Sequence, residues 1–370
     1  MKFCLSRVRL LNNHKAFIAL VRAGLWNQTV ELKQFGRPNY DAILQLAEEQ
    51  SVVGLVTSGL ELVQDVKVPQ EVLLQFIGST LQVEQRNKEL NVFIPKLFGK
   101  LQSEGVKSVM VKGQGVALCY EKPLWRASGD VDLLLDAENY EIAKKVLIPI
   151  AYDIEAEETW KKHQAMKIMG ADVELHGMMP FGLSKRADEV VDEVIAKVLI
   201  EHESLELDES VRIPKADEHV FLVFTHYLRH FFIEGVGLRQ ICDWCRMLWV
   251  YRESLNHGLL ESRIRKAGLV TEWQAFAALA VNYLGMPKEA MPLLGENEKF
   301  KKKAEKVLNR VLKSGNFGHN NDLSYRSKYT GTTYKVVAMW RRFTDFASLV
   351  PVFPVDAPKF FMGYLFGKVG

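Results

Sequence analysis

Residues 129–135 read Gly-Asp-Val-Asp-Leu-Leu-Leu, and this stretch decides what the chain can be. As a strand it alternates, with Asp130 and Asp132 on one side and Val131, Leu133 and Leu135 on the other. Two carboxylates over an apolar underside make one wall of a site laid on a packed sheet.

Upstream, Ser108-Val109-Met110-Val111 runs into Lys112-Gly113-Gln114-Gly115 and then Val116-Ala117-Leu118, a strand, tight turn and helix. A glycine turn that opens a helix lets backbone amides approach phosphate, and Lys112 adds a point charge. Arg126, Ser128 and Gly129 directly precede or join the acids, where Arg126 and Ser128 can reach phosphate oxygens. Downstream the pattern predicts a helix over 137–147, then a hairpin of His163–Met169 and Asp172–Met178 joined at Gly170-Ala171. On its second strand Asp172, Glu174 and His176 share a face, with Val173 and Leu175 opposite.

Carboxylates gathered from two strands raise one another's pKa unless a cation lies between them. Magnesium fits, because a few carboxylates plus substrate phosphates hold it, with manganese as a substitute. Two such ions about 4 Å apart would stabilise the attacking and leaving oxygens of an in-line phosphoryl displacement.

The rest of the chain reads as helical. Helical spacing covers 16–25, 40–49 and 68–104, where Pro95 is expected to kink or split the helix. It returns from Lys185, through 216–230, 236–251, 262–284 and 297–312. A Gly/Asn-rich break at 314–322 precedes a helix-like stretch at 333–346, and Pro351, Pro354 and Pro358 predict an irregular end. The expected class is α+β, a small mixed-sheet core in a largely helical chain. The expected divisions are 1–105, 106–180, 181–315 and 316–370.

A chain of 370 residues, 48% hydrophobic and 25% charged, has the balance of an ordinary globular protein with room for two or three modules. Asn12, Asn13, His14 and Lys15 interrupt any N-terminal apolar run, and no stretch approaches a membrane span. Four cysteines (4, 119, 242 and 245) are too few for a disulfide scaffold, so a reducing, cytoplasmic setting is expected. From Lys301 onward 13 Lys and Arg face 4 Asp and Glu, so a net charge of +3 conceals a tail of +9. Lys301-Lys302-Lys303 and Arg341-Arg342, interleaved with Tyr325, Tyr329, Tyr334 and Trp340, suit RNA, another polyanion or an anionic membrane surface. A solvated helix face is the plainer alternative. The apolar run 360–366 is placed to dock on the body, a partner or a membrane.

Arg239 and Asp243 lie one helical turn apart, either as an ion pair or as an arginine reaching a nucleotide beside an acid near the acceptor. His219, His226 and His230 with Cys242 and Cys245 invite a zinc reading, but cysteines at i and i+3 inside a helix fit a core better. His176, beside Glu174, is a candidate substrate contact.

Val111-Lys112-Gly113, Arg126-x-Ser128-Gly129-Asp130-Val131-Asp132-Leu133-Leu134 and Val173-Glu174-Leu175-His176 together resemble the polymerase-β-like nucleotidyltransferase superfamily. They are similar in particular to its uncharacterised bacterial branch, which often carries Lys-Gly in the turn. Residues 106–180 bear the motifs, and Gly237-Leu238-Arg239-Gln240-Ile241-Cys242-Asp243 extends the likeness to about residue 250. The resemblance implies a nucleotidyltransferase core in which Asp130 and Asp132 hold the metals that carry an NTP. Glu174 would bind the catalytic metal and help deprotonate an acceptor hydroxyl, with pyrophosphate released. The acceptor is left open among a small molecule, a sugar, tRNA or protein. Gln114 stands where the superfamily has a small hydroxyl residue, and Gly113 precedes Asp130 by 17 positions, more than usual. Both shift the phosphate grip onto Lys112, Arg126 and Ser128, with Gly113, Gly129 and Arg239 also in contact. The alternatives are an inactive nucleotide- or partner-binding protein of the same fold, and a toxin-like enzyme modifying tRNA or protein.

Overall fold

A computed structural model describes residues 2–366 except 160–161, 180, 206–207, 296 and 322–323, and excepting the side chains of 2–11, 325 and 326. The Cys4 and Tyr325 side chains, Pro180 and residues 367–370 of the expected tail therefore lie outside the described residues.

Four helices lead: α1 (Lys2–Trp26), α2 (Tyr40–Glu49), α3 (Val53–Glu61) and α4 (Gln70–Ser103). The Asn39 side chain caps α2 by accepting from the Ala42 amide. Pro95 lies inside α4, yet the 34-residue helix is not split. Tertiary packing of Phe93, Ile94, Leu97, Phe98 and Leu101 holds the segment helical across the missing N–H.

The central unit follows as β1 (Val109–Val111), α5 (Gly113–Ala117), β2 (Val131–Leu134), α6 (Ala137–Leu147), β3 (His163–Ile168) and β4 (Ala171–His176). The sheet order is β1-β2-β4-β3, antiparallel at both edges and parallel between β2 and β4. That parallel register sets Asp132 beside Glu174 and Leu134 beside His176. Val131, Leu133, Leu135, Val173 and Leu175 point to a small apolar core under α4 and α6. The opposite face carries Asp132 and Leu134 toward the main helical core. The turn between β3 and β4 is Met169-Gly170, both at positive φ (50° and 84°), not Gly170-Ala171. Both positions of a type I′ turn need that conformation.

After α7 (Lys185–Ile200) comes a hairpin, β5 (His202–Leu205) and β6 (Asp208–Pro214), inside the stretch expected to be helical. Its Val211 and Ile213 are buried in the small core at alternating positions. Next come α8 (Ala216–Ile233), α9 (Leu238–Val250), α10 (His257–Ala267), α11 (Val270–Asn282) and α12 (Glu298–Ser314). The expected helix 262–284 is two, because Gly268 takes a left-handed conformation (φ 74°) and caps α10.

The end of the chain also differs from expectation. After α13 (Tyr325–Lys328) and α14 (Gly331–Leu349), residues 356–366 form a further helix, α15 (Asp356–Phe366), with Pro358 tolerated in its first turn. Phe360 is buried between Phe181 and Phe232, so the apolar end docks on the body. The fold is α+β, a small mixed sheet within a largely helical chain. Among the described residues no helix is long and apolar enough to cross a membrane.

Candidate active site

The site lies where the carboxylate face of the sheet meets α8 and α9. Oxygens of Asp130, Asp132 and Glu174 come within 4.8 Å of one another. Asp132 is nearly fully buried and paired twice, to Lys112 Nζ at 2.8 Å and to His176 Nε2 at 2.8 Å. Glu174 is met by His163 Nε2 at 3.1 Å and His176 Nε2 at 3.4 Å. Asp130 has no hydrogen-bonded side-chain partner among the described residues.

Electrostatics follows from that asymmetry. The Asp132 charge, with burial, raises the pKa of Asp130. Burial works against the ionised Asp132, yet Lys112 and the His176 hydrogen bond hold its pKa below normal. Glu174 is likewise lowered despite burial, by its hydrogen bonds from His163 and His176. Burial opposes the charge on Lys112, but Asp132 and then Asp130 hold its pKa up. Lys112 pairs with Asp132 and the two histidines meet Glu174, so Asp130 is left as a free ligand in an oxygen-rich cluster. Those residues fit a hard divalent ion such as magnesium.

Lys112 occupies an unusual backbone position, φ 63° and ψ −134°, immediately before α5. Its amide donates to His219 Nε2 at 3.1 Å, and its Nζ also lies 3.1 Å from His226 Nε2. Both histidines come from α8, so the helical body fixes the turn from behind. Burial, then the positive charges of Arg126 and Lys112, depress His219 to about 3. It is a neutral acceptor.

Two expected ligand contacts are committed elsewhere. Arg126 and Asp243 are both buried and form a bidentate pair, Nε–Oδ1 at 2.7 Å and Nη2–Oδ2 at 2.8 Å. Tyr120 donates to the same Asp243 carboxylate at 2.7 Å. Asp243 therefore holds the 123–130 loop, its oxygens accepting three hydrogen bonds inside the protein. Nor does it pair with Arg239, the partner its spacing suggested. Arg239 reaches over to the Ala127 carbonyl (Nη1–O 3.1 Å), and its buried Nε has no partner.

Gln114 is held on three sides. Its amide nitrogen donates to Asn91 Oδ1 (2.7 Å) and Asn87 Oδ1 (3.2 Å), while its oxygen accepts from Ser128 Oγ at 2.9 Å. Asn87 in turn donates to the carbonyls of Leu124 and Arg126, both at 2.8 Å. Gln114 and Ser128 thus brace the loop before Asp130. A cavity of about 450 Å³ opens against Ser128, Gly129, Asp130, Glu174 and Arg239, within the size range of small-ligand sites.

The structure brings Ser128, Gly129, Asp130, Glu174 and Arg239 together around this cavity and Lys112, Gly113, Arg126, Asp132 and Asp243 around a narrow cleft beside it, while His176 lines neither and meets Asp132 and Glu174. Sequence reasoning missed His163, Asn87, Tyr120 and the roles of His219 and His226. The proposed zinc set does not assemble: among the described residues Cys242 and Cys245 are buried core residues and join no ligand cluster. In the tail, Lys303 is buried with its Nζ 4.8 Å from the Phe353 ring, so the Lys301–Lys303 run is not one solvated face.

No curated protein and no solved structure matches the chain. The description of a family of uncharacterised nucleotidyltransferases matches residues 37–285, from before α2 to just past α11 and across the whole carboxylate centre. With about two-thirds of its length matched, the chain belongs to that uncharacterised nucleotidyltransferase family.

Proposed function

We propose that this chain is a metal-dependent nucleotidyltransferase of the polymerase-β-like type, moving an NMP from an NTP to an acceptor hydroxyl and releasing pyrophosphate. The observation that carries the proposal is the convergence of Asp130, Asp132 and Glu174 from two parallel strands, with Asp130 left unpartnered. These three would hold two magnesium ions, which when bound would neutralise charge on the transferring phosphoryl group.

The remaining work falls to the protein's own groups. Arg239, with its free Nε at the cavity wall, is the arginine best placed for a phosphate oxygen. Lys112 supplies a second positive charge from the other side of Asp132. Glu174, kept ionised by His163 and His176, stays an acceptor for the incoming hydroxyl's proton and orients that oxygen toward the α-phosphorus. As that bond forms, the bond to pyrophosphate breaks. Catalysis then consists mostly of positioning and charge neutralisation.

Asp130→Ala and Asp132→Asn are expected to abolish incorporation from α-labelled NTP and Mg²⁺-dependent NTP binding, with circular dichroism unchanged for Asp130→Ala. NTP binding that is unaltered in both variants would refute the assignment.

A further inference from the structure

We infer that His163, His176 and Glu174 form a second cation site, for a divalent ion of the transition series, sharing Glu174 with the carboxylate site. The inference rests on the proposed function only through that shared residue.

The register of β3 and β4 sets His163 directly opposite His176, and their rings lie 4.9 Å apart on one face. Nε2 of His163 is 3.1 Å, and Nε2 of His176 3.4 Å, from the same Glu174 Oε2, and the three ligand atoms fall within 4.8 Å of one another. Ligands bound at about 2.0–2.2 Å from a zinc-like ion stand roughly 3.0–3.5 Å apart in tetrahedral or octahedral arrangements. The two measured separations already match those edges.

Both rings turn Nε2 toward the same carboxylate oxygen. An imidazole Nε2 carries one hydrogen at most. That of His176 faces both Asp132 Oδ1 at 2.8 Å and Glu174 Oε2 at 3.4 Å, while Glu174 Oε2 is also faced by His163. With the Nε2 proton released, each ring has a lone pair for a cation lying against Glu174 Oε2, and His176 then exchanges its hydrogen bond to Asp132 for the ion. Glu158 Oε1 lies 3.6 Å from the other nitrogen of His163, Nδ1, an acidic neighbour on the far side of the ring. The His163 side chain is 18% exposed, which gives an ion a way in.

The donor types separate the two sites. Asp130, Asp132 and Glu174 offer oxygen only and suit magnesium, whereas two imidazole nitrogens with one carboxylate favour zinc, cobalt or manganese. A mixed-metal centre bridged by Glu174 follows.

The test is a Co²⁺ titration of the full-length, chelator-treated protein without nucleotide, in millimolar Mg²⁺, followed by visible ligand-field absorption. The wild type is expected to bind one Co²⁺ that Mg²⁺ does not displace. His163→Ala, and the more conservative His163→Gln, should each weaken that binding by tenfold or more. Asp130→Asn should keep Co²⁺ affinity within a few-fold while losing NTP binding. Co²⁺ binding that Mg²⁺ displaces, or that stays within twofold in both His163 variants, overturns the second site and leaves the carboxylate reading standing. Normal NTP binding by Asp130→Asn with intact Co²⁺ uptake refutes the carboxylate reading alone.

Discussion

Lys112 concentrates the residue-scale physics of this site. Its φ of 63° with ψ −134° belongs to backbone that glycine adopts freely, and holding a side chain there costs about 1–3 kcal/mol. The conformation persists because the amide is tied to His219 and the ammonium to Asp132. Lys112→Gly and Lys112→Ala both remove the ammonium and strand the buried Asp132 with His176, so both should destabilise the fold. Only glycine releases the strain. Lys112→Gly should therefore be the more stable of the two by on the order of 1 kcal/mol in urea denaturation, reversing the usual Gly–Ala order. An alanine variant equal or superior in stability would show that the turn is not strained. Composition and spacing pointed to Lys112 as a charge near phosphate, but its backbone state was not legible, because a positive φ at lysine arises from the tertiary clamp of α8. The Arg126–Asp243 pair went unseen for a related reason. Their partnership spans 117 residues, and helical spacing advertised the nearer Arg239 instead.

At the scale of elements, one turn shows how much of the site the sequence could reveal. Alternation alone placed Asp130 with Asp132 and Glu174 with His176. With the hairpin turned at Gly170-Ala171, however, His163 would lie opposite Met178. The turn at Met169-Gly170 shifts the pairing by two residues and brings His163 to His176. Met169 in a left-handed conformation gives no compositional signal, so the most informative histidine went unseen. The β5–β6 hairpin was hidden similarly, since Val211-Arg212-Ile213 is too short a period to stand out between long helices. The C-terminal helix offers a test of packing. A Cβ on Gly363 would lie 2.2 Å from the Leu183 carbonyl oxygen, so α15 can dock only with glycine there. Gly363→Val should lift α15 off the body, costing roughly 1–3 kcal/mol. Tryptic cleavage at the exposed Lys359 should accelerate while nucleotide affinity stays constant. Unchanged proteolysis would mean that α15 contributes nothing to closing the core around Phe181 and Phe232.

For the whole molecule, the decisive arrangement is a sheet covered on both faces. The small core under α4 and α6 supports it from one side, and the helical body closes over the carboxylates from the other. That closure buries His219 and half-buries His226 as neutral bases, and it gives stability a pH dependence. Burial, then Arg126 and Lys112, lower His219 to about 3, and burial, then Lys112 and His230, hold His226 well below its usual value. A base depressed in the fold contributes stability that is complete above its unfolded pKa of about 6.5. That stability drains as pH falls toward the folded value, because the unfolded chain takes up the proton first. His176 is shifted the other way: burial opposes its charge, but Asp132 and Glu174 raise its pKa, so its contribution is full below about 6.5 and fades on the alkaline side. Between pH 6.5 and 5 the two α8 histidines, the most strongly depressed, therefore contribute to the loss. Each should remove up to about 2 kcal/mol over that interval, since one pKa unit corresponds to about 1.4 kcal/mol. His219→Gln keeps an acceptor for the Lys112 amide but cannot be protonated, so urea denaturation at pH 7 and pH 5 should show a loss smaller than the wild type's by up to about 2 kcal/mol. A variant that loses as much stability as the wild type would place the acid sensitivity elsewhere and would argue that the helical body does not close over the turn as tightly as the buried His219 requires.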